Sequence, residues 1–460
     1  MSARLFLGGK VELRPGDARE VMRGMPDASV DSVVTDPPYA LVSIVKRFGK
    51  PGSAPAQEGT DGRYARASAG FMGQQWDTGE TAFAVEFWAE VFRVLKPGGH
   101  VVAFGGTRTY HRLAVAIEDA GFEIRDQIQW LYGSGFPKSH DVSKGLDRMA
   151  GAEREVIAQG RAVKRMIPGA DQNKAGWEKN NGREFVPTET APATDAARQW
   201  QGWGTALKPA CEPIVLARKP LIGTVAANVL AFGTGALNID GCRIAGEVPS
   251  VPQPAFNSPT GKIYGMKTGE GRNGQMSSAP LGRWPANIVH DGSEEVVGAF
   301  PQSVSPSPHV RASGSDTKND IYGSGLGEGR DGTLKGNFGD SGSAARFFYT
   351  AKADSDDRIG SKHPTVKPVD LMQWLVRLVT PRGGLVLDPF AGTGTTGEAA
   401  WREGMRAILI EREEAYQADI ARRMDYALAG PDERSHAIVK AKGKVEDPGP
   451  LFAAVKDAAE

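Results

Sequence analysis

The sequence has few cysteines, no excess of charge and no long apolar run, and each absence excludes a class of protein. Its two cysteines, Cys211 and Cys242, provide neither a disulfide framework nor a CxxC metal site, which suits a reducing cytosol. Lys and Arg number 55, as do Asp and Glu, so a nucleic acid would have to be bound by local basic patches. No apolar stretch reaches membrane-spanning length and the N-terminus lacks a signal-peptide core, which predicts no membrane contact.

What the sequence does have is an alternation of strand-like and helix-like segments over its first 132 residues. The clearest helix is the amphipathic Phe83–Leu95, which stops at Lys96-Pro97-Gly98-Gly99. The segments that follow are, in order, a strand at His100–Phe104, a helix at Tyr110–Ala120 and a strand at Phe122–Tyr132. This alternation predicts an α/β fold with a parallel, doubly wound sheet.

The middle of the chain loses this regularity. Residues 133–204 are polar and glycine-rich, and basic residues are mixed there with Trp177, Trp200 and Trp203. Such a mixture suits nucleic-acid contact, and a solvated insertion is the alternative. Residues 221–345 show no strand–helix alternation, so they are either a separate recognition module or a segment that orders on a partner.

Two further segments complete the interpretation of the middle of the chain. Glu212–Ala217 is apolar enough to predict a strand that returns to the sheet beside Ile128–Leu131. Residues 41–75 are loop-like and rich in Gly, Ala and Ser, for which a mobile lid and plain disorder are both compatible interpretations.

An apolar run at Val30–Thr35 ends in Asp36-Pro37-Pro38-Tyr39. The prolines fix the loop backbone and donate no N–H, so the loop presents a carboxylate, a free carbonyl oxygen and an aromatic ring at a strand end. These groups suit a flat base with an exocyclic amine, because two acceptors meet the N–H bonds and the ring stacks on the base. An ordinary strand-to-turn junction is the alternative interpretation.

A second landmark lies near the end of the chain. The strand Leu385–Asp388 leads into a glycine turn with Gly392, Gly394 and Gly397, and a helix is predicted at Glu398–Glu403. Glu411 ends the next strand, where an acid can bind ribose hydroxyls. Such a turn is typical of a dinucleotide dehydrogenase, a methyltransferase or a plain tight turn. Because one clear strand remains after it, only the N-terminal half can complete the sheet, which argues against the dehydrogenase.

Together these segments resemble the DNA amino-methyltransferases that use S-adenosylmethionine, and their order resembles the β group. The resemblance covers roughly residues 10–135 and 345–425. It depends on five motifs: Gly16-Asp17, Asp36–Tyr39, Leu95–Gly99, His363–Pro368 and Asp388–Gly394. It implies a Rossmann-like methyltransferase fold with a mostly parallel doubly wound sheet and one antiparallel strand, circularly permuted, with a large inserted target-recognition region.

The resemblance also implies domains and site residues. The expected domains are a catalytic half at 1–135, a target-recognition region at 136–345, a cofactor-binding half at 346–430 and a tail at 431–460. The expected catalytic residues are Asp36, Pro37, Pro38 and Tyr39. The expected S-adenosylmethionine residues are Asp17, Asp36, His363, Thr365, Lys367, Asp388, Phe390, Ala391, Gly392, Thr393, Gly394, Thr395, Thr396, Glu411 and Arg412, and no metal is required. Glu411 would bind the ribose and Asp17 the adenine amino group, although Asp17 also suits a helix N-cap.

The expected reaction is methylation of an amine on a base flipped out of double-stranded DNA. Cytosine carbon-5 chemistry needs a nucleophilic cysteine, and Cys211 does not stand in the Pro-Cys setting of those enzymes. In the family Asp-Pro-Pro-Tyr favours adenine N6, so cytosine N4 is the alternative. A catalytically silent DNA-binding protein and a protein glutamine methyltransferase are further alternatives, although the latter usually carries Asn at the position of Asp36.

The resemblance also suggests a biological setting. Related enzymes are often dimers, so a homodimer is among the expected states. No nuclease motif is evident in this chain, so a restriction partner would be a separate protein. The expected location is the cytoplasm of a bacterium, with the gene either bacterial or carried by a phage.

Overall fold

The computed structural model describes most of the predicted catalytic half, most of the predicted cofactor-binding half and part of the region between them. The described residues are 3–39, 81–135, 139–161, 163–165, 172–173, 176–177, 183–244, 262–263, 266–267, 282–304, 341–351, 355–361, 363, 365–430 and 433–434. The predicted lid or disordered loop at 41–75 and most of the predicted C-terminal tail lie outside these residues.

A ten-stranded mixed sheet forms the centre of the described structure. Its strands are β1 Arg4–Phe6, β2 Val11–Pro15, β3 Val30–Thr35, β4 Leu95–Phe104, β5 Glu123–Leu131, β6 Cys211–Arg218, β7 Ile288–His290, β8 Tyr349–Thr350, β9 Leu385–Asp388 and β10 Arg406–Glu411. They lie in the order β1-β2-β10-β9-β3-β4-β6-β5-β7-β8. The two strands that come last in the sequence therefore lie between β2 and β3, as the predicted circular permutation requires.

Most neighbouring strands are parallel, which confirms the predicted fold class. β6 is antiparallel to both β4 and β5, with Ile214 paired to Phe104 on one side and to Ile128 on the other. The sequence interpretation predicted one antiparallel strand, whereas the structure has a second, because β1 pairs antiparallel with β2 at the sheet edge. This edge hairpin is short, and its tight turn passes through Leu7 and Gly8 at positive φ.

Helices cover both faces of the sheet, so the predicted doubly wound arrangement is confirmed. The α-helices of the described residues are α1 Ala18–Arg23, α2 Val85–Val94, α3 Tyr110–Asp119, α4 Val142–Met149, α5 Asp195–Gln199, α6 Val225–Phe232, α7 Glu294–Ala299, α8 Val369–Val379, α9 Thr395–Arg402 and α10 Glu414–Leu428. α1, α2 and α3 pack on one face, and α8, α9 and α10 on the other. Along β4, Val101 and Ala103 face the first group, while Val102 and Phe104 face the second.

The predicted insertion contributes more to the core than the returning strand β6. β7, which was not predicted, pairs parallel with β5 through Ile288 and Gln129. β8 continues the sheet beyond it. Short two-stranded ribbons lie outside the central sheet at Val156–Gln159 with Thr188–Thr190, Val163–Arg165 with Arg183–Phe185, Gln172–Asn173 with Gly176–Trp177, Lys262–Ile263 with Met266–Lys267, and Gln302–Val304 with Ser341–Ser343.

A buried ion pair ties two helices of the second face together. Arg423 on α10 and Glu398 on α9 are both fully buried, and Arg423 Nη1 lies 2.9 Å from Glu398 Oε2. Arg423 Nε also donates to the Thr393 carbonyl oxygen at 2.7 Å, so the same side chain fixes the glycine turn before α9. Among the helices that the structure describes, none combines the length and apolar character that crossing a membrane would require.

Candidate active site

Five parallel strands end at one edge of the sheet, and a cavity of about 1580 Å³ lies there. β2, β3, β4, β9 and β10 point the same way, so the residues after their last positions converge on this edge. Nearly all of the predicted site residues line the cavity: Asp17, Asp36, Pro37, Pro38, Tyr39, His363, Thr365, Lys367, Asp388, Phe390, Ala391, Gly392, Thr393, Thr395, Thr396, Glu411 and Arg412. Gly394, the residue directly before α9, is buried and does not line it.

The acceptor loop after β3 is held by a buried lysine. Lys367 is 5% exposed, and its Nζ donates to Asp36 Oδ2 at 2.5 Å. The other carboxylate oxygen, Asp36 Oδ1, is buried and has no hydrogen-bond partner within the described part of the chain. Burial opposes the charge of Lys367, but the carboxylates of Asp36 and Glu212 outweigh it and raise the pKa of this lysine. Lys367 is therefore an ammonium ion that orients Asp36.

Tyr39 is fixed at both ends. Its hydroxyl donates to Glu212 Oε2 at 2.9 Å, and its carbonyl oxygen accepts from Thr109 Oγ1 at 2.7 Å. Burial, together with the charges of Asp36 and Glu212, raises the pKa of Tyr39 well above its ordinary value, so the phenol is neutral and is a donor. The ring is half-buried and lines the cavity, in position for a flat ligand to lie against it.

Glu212 is a site residue that the sequence interpretation missed, because it saw only the start of a strand. The direction of β6 in the sheet is the feature that could have identified Glu212. β6 runs antiparallel to its neighbours, so its first residues lie at the edge where the parallel strands end. Once β6 is known to return between β4 and β5, an acid at its start is placed in the site.

Asp388 supports the glycine turn. Its Oδ1 accepts from Thr35 Oγ1 at 2.7 Å and from the Phe390 backbone N–H at 3.1 Å, and its Oδ2 accepts from Thr396 Oγ1 at 2.5 Å. Burial raises the pKa of Asp388 to about 6 despite these donors. Both oxygens are engaged within the protein, so this side chain connects β3, β9 and α9 at the wall of the cavity.

Glu411 and Asp17 lie at the ends of the neighbouring strands β10 and β2. Glu411 accepts the backbone N–H groups of Gly392 at 2.9 Å and Glu413 at 2.8 Å, and burial raises the pKa of its carboxyl to about 7. Asp17 caps α1 by accepting the Arg19 N–H at 2.9 Å. Burial works against its charge, but the hydrogen bonds and the charge of Arg19 prevail and lower the pKa of Asp17.

The segment before α8 lines the middle of the cavity, between the acceptor loop and the end that contains Glu411. His363 Nδ1 lies 2.8 Å from the Thr365 carbonyl oxygen, and the His363 ring meets the Tyr416 ring edge-to-face, with centroids 4.5 Å apart. Burial lowers the pKa of His363, which favours the neutral ring. Lys367, expected in the cofactor pocket, lies with its charged end at the acceptor loop. The segment therefore contributes to both parts of the cavity.

Comparison with known proteins assigns the family. The model of the N6/N4 DNA methylases matches residues 30–153 and 300–422, more than half of the chain. The type II methyltransferase M2.DpnII of Streptococcus pneumoniae is 39% identical over 69 residues, 15% of this chain and 26% of the relative. M.HindIII of Haemophilus influenzae is 27% identical over 202 residues, 43% of this chain and 46% of the relative. The chain thus spans less than half the length of these curated relatives.

Solved structures show a weaker likeness. The PvuII DNA methyltransferase, described as cytosine-N4-specific, has 13% sequence identity and a TM-score of 0.39, with 95% of this chain and 94% of that chain covered. The M1.HpyAVI–SAM complex has 15% identity and a TM-score of 0.33, with 90% and 99% covered. On the extent of the family match, this chain belongs to the N6/N4 amino-methyltransferase family of DNA methylases.

Proposed function

We propose that this protein transfers a methyl group from S-adenosylmethionine to the N6 amine of an adenine that is flipped out of double-stranded DNA. The observation that carries the proposal is the state of Asp36. One oxygen is held by Lys367, while Oδ1 is buried and, among the described residues, has no donor. A buried carboxylate oxygen without a donor is unfavourable, and an N–H group of a bound amine would satisfy it.

The opposite end of the cavity fits the cofactor. Glu411 is buried, and burial raises the pKa of its carboxyl to about 7 although it accepts two backbone N–H groups. Hydrogen bonds from the hydroxyl groups of a ribose would stabilise the charged form of this carboxyl. Asp17, with a lowered pKa, is a ready acceptor for an adenine amino group. Phe390 adds an apolar wall. When bound there, S-adenosylmethionine supplies a methyl group on a positively charged sulfur, which leaves as a neutral thioether.

The residues of the acceptor loop position the base and shift its charge. Tyr39 presents its ring for stacking, while Asp36 Oδ1 and the Pro37 carbonyl oxygen accept the two amine hydrogens. These hydrogen bonds draw the nitrogen lone pair out of conjugation with the base, which makes the nitrogen a nucleophile. The negative charge of Asp36 stabilises the nitrogen as it becomes positive. Asp36 then takes the extra proton and releases it to solvent.

The choice of adenine depends on the sequence of the acceptor loop. Asp stands at position 36, the residue that favours adenine among related enzymes, whereas Ser would favour cytosine. Single-molecule sequencing of DNA from a methylation-free host that expresses this chain would identify the base, its position and the recognition sequence. We expect N6-methyladenine at one motif. N4-methylcytosine would correct the base, and unmodified DNA from cells with soluble protein would contradict the proposal.

Replacement of the acceptor carboxylate tests the mechanism directly. Asp36→Ala removes the acceptor for the amine, so methyl transfer is expected to fall by about 10²–10³-fold while cofactor affinity changes little. Methyl transfer to purified DNA and equilibrium cofactor binding measure the two effects. Asp27→Ala is the control, because Asp27 is an exposed acid before the start of β3, at the other end of the strand. An active Asp36→Ala enzyme would rule out the assigned role.

A further inference from the structure

Glu212 is an acid to which the mechanism above gives no role. It is the second residue of β6, and its side chain is 18% exposed. Pro213, the next residue, accepts the Gly105 N–H at 2.9 Å, which holds this part of β6 beside the end of β4. Glu212 is therefore fixed by the sheet itself at the edge where the acceptor loop lies.

One oxygen of Glu212 contacts two groups of the acceptor site. Oε2 accepts the Tyr39 hydroxyl at 2.9 Å and lies 3.3 Å from Lys367 Nζ. The same ammonium group is 2.5 Å from Asp36 Oδ2. The four side chains thus form one chain of contacts, from Tyr39 through Glu212 and Lys367 to Asp36.

The charges of this chain of contacts do not cancel. Asp36 and Lys367 alone would be neutral, and a neutral pair would give little stabilisation to an amine nitrogen that becomes positive. Glu212 restores one net negative charge. Lys367 is buried, and charges at a buried site interact more strongly than they do in solvent, so we expect this remaining charge to lower the barrier.

We propose that Glu212 is a positioning residue for methyl transfer. It fixes the Tyr39 ring through the phenol hydroxyl, and it shares Lys367 with Asp36 so that the site keeps one negative charge while Asp36 Oδ1 stays available. The inference rests on the proposed function, because it concerns the same amine. It predicts that the charge of Glu212 affects the rate of transfer more than the binding of either substrate.

Glu212→Gln tests the charge, because the amide oxygen still accepts the Tyr39 hydroxyl. We expect kcat to fall by roughly 10–100-fold, with KM for DNA and the cofactor dissociation constant within about threefold of wild type. Glu123→Gln is the matched control. Glu123 begins β5 and pairs at 2.7 Å with Arg218, the last residue of β6, so it lies at the opposite end of β6 from Glu212. Its side chain is 41% exposed. Its kcat is expected to equal that of wild type.

Tyr39→Phe and the double variant with Glu212→Gln separate positioning from charge. Tyr39→Phe keeps the ring but removes the hydroxyl donor. We expect the double variant to be slower than Tyr39→Phe, because loss of the Glu212 charge slows methyl transfer in addition to any effect of losing the Tyr39 hydroxyl. Equal rates for these two variants, or a wild-type kcat for Glu212→Gln, would overturn the inference, as would a loss of cofactor and DNA binding that matches the loss of rate. A wild-type chain that methylates no DNA would instead overturn the proposed function, and this inference with it.

Discussion

At the scale of single residues, Gly394 shows how closely α10 packs against the glycine turn. Its φ is +78°, and a Cβ there would lie 3.1 Å from Ile420 Cγ1 and 3.3 Å from a methyl group of Met424. Gly394→Ala is therefore expected to lower the free energy of unfolding through both backbone strain and crowding. Each contributes about 1–2 kcal/mol. Urea unfolding followed by circular dichroism measures the loss.

Gly404 provides a matched control for this substitution. Its φ is +74°, nearly the same, but apart from its chain neighbours no described residue places an atom within 4 Å of a Cβ at this position. Gly404→Ala should therefore lose the backbone contribution alone, and Gly394→Ala should be the less stable of the two by about 1–2 kcal/mol. Equal stabilities would mean that α10 does not pack against the turn as the structure has it.

Residues next to recognisable strand ends could be found from sequence, and residues defined by distant partners could not. Asp36, Tyr39 and Glu411 each follow an apolar run, so their position at the sheet edge was predictable. Glu212 lies at the beginning of a strand, where its position depends on the direction of pairing. Lys367 meets Asp36 across 331 positions of sequence, and nothing local to either residue indicates that contact.

At the scale of secondary-structure elements, long periodic segments were predicted well and short or abrupt ones were not. The helix predicted at Tyr110–Ala120 is observed at Tyr110–Asp119. β4 begins at Leu95, directly after α2, instead of after the glycines at His100. α9 begins at Thr395, three residues before the predicted start at Glu398, because the glycine turn passes straight into the helix. β7 has three residues, too few to show a period of two.

His100 makes the stability of β4 depend on pH. It is 4% exposed, and burial, with the charges of Arg218 and Arg125, lowers its pKa to about 4. Below pH 6.5 the unfolded chain binds a proton at His100 that the folded chain does not, so the contribution of His100 to the free energy of unfolding falls as the pH falls. The contribution of His100 to this loss should approach about 3 kcal/mol near pH 4. Urea unfolding of wild type and His100→Gln between pH 7.5 and 5 measures it.

The comparison with a variant isolates His100 from other groups that titrate in this range. Glu411 and Asp388, whose pKa values are raised, act in the opposite direction, so the measure is the difference in the free energy of unfolding between wild type and His100→Gln. That difference should shift against wild type as the pH falls, while the difference between wild type and His111→Gln, at an exposed position on α3, should not change with pH. A pH dependence that is equally steep with Gln at position 100 would show that other groups cause it.

At the scale of the whole molecule, the order of the chain was predictable and the extent of the inserted region was not. One strand after the glycine turn cannot complete a sheet, so the N-terminal half had to supply the rest. The structure joins the halves where β3 pairs with β9, and Ser32 Oγ lies 2.7 Å from Thr380 Oγ1 across that junction. β6, which was predicted to return to the sheet, and β7, which was not predicted, both come from the predicted insertion. A strand as short as β7 leaves no local pattern that would indicate its pairing with β5.

The neutral charge of the whole chain limits how it would bind the DNA substrate that we propose. With 55 basic and 55 acidic residues, no overall field attracts a polyanion, so we expect phosphate contacts from local groups of cations, including those near the cavity. Arg108 is exposed at the rim, beyond the end of β4. We expect Arg108→Ala to weaken DNA binding and to reduce the slope of log K against log salt concentration by about 1, as the loss of one phosphate contact requires. Fluorescence anisotropy across a salt series measures this slope.

Arg125 distinguishes this local effect from a general change in charge. It lies near the start of β5, at the opposite edge of the sheet from the cavity, and its side chain is half exposed. Arg125→Ala removes the same charge from the molecule, so a field of the whole protein would give both variants the same salt slope. A local contact instead changes the slope for Arg108→Ala alone, while cofactor affinity stays at the wild-type value in both. Equal slopes for the two variants would place the phosphate contacts away from the cavity rim.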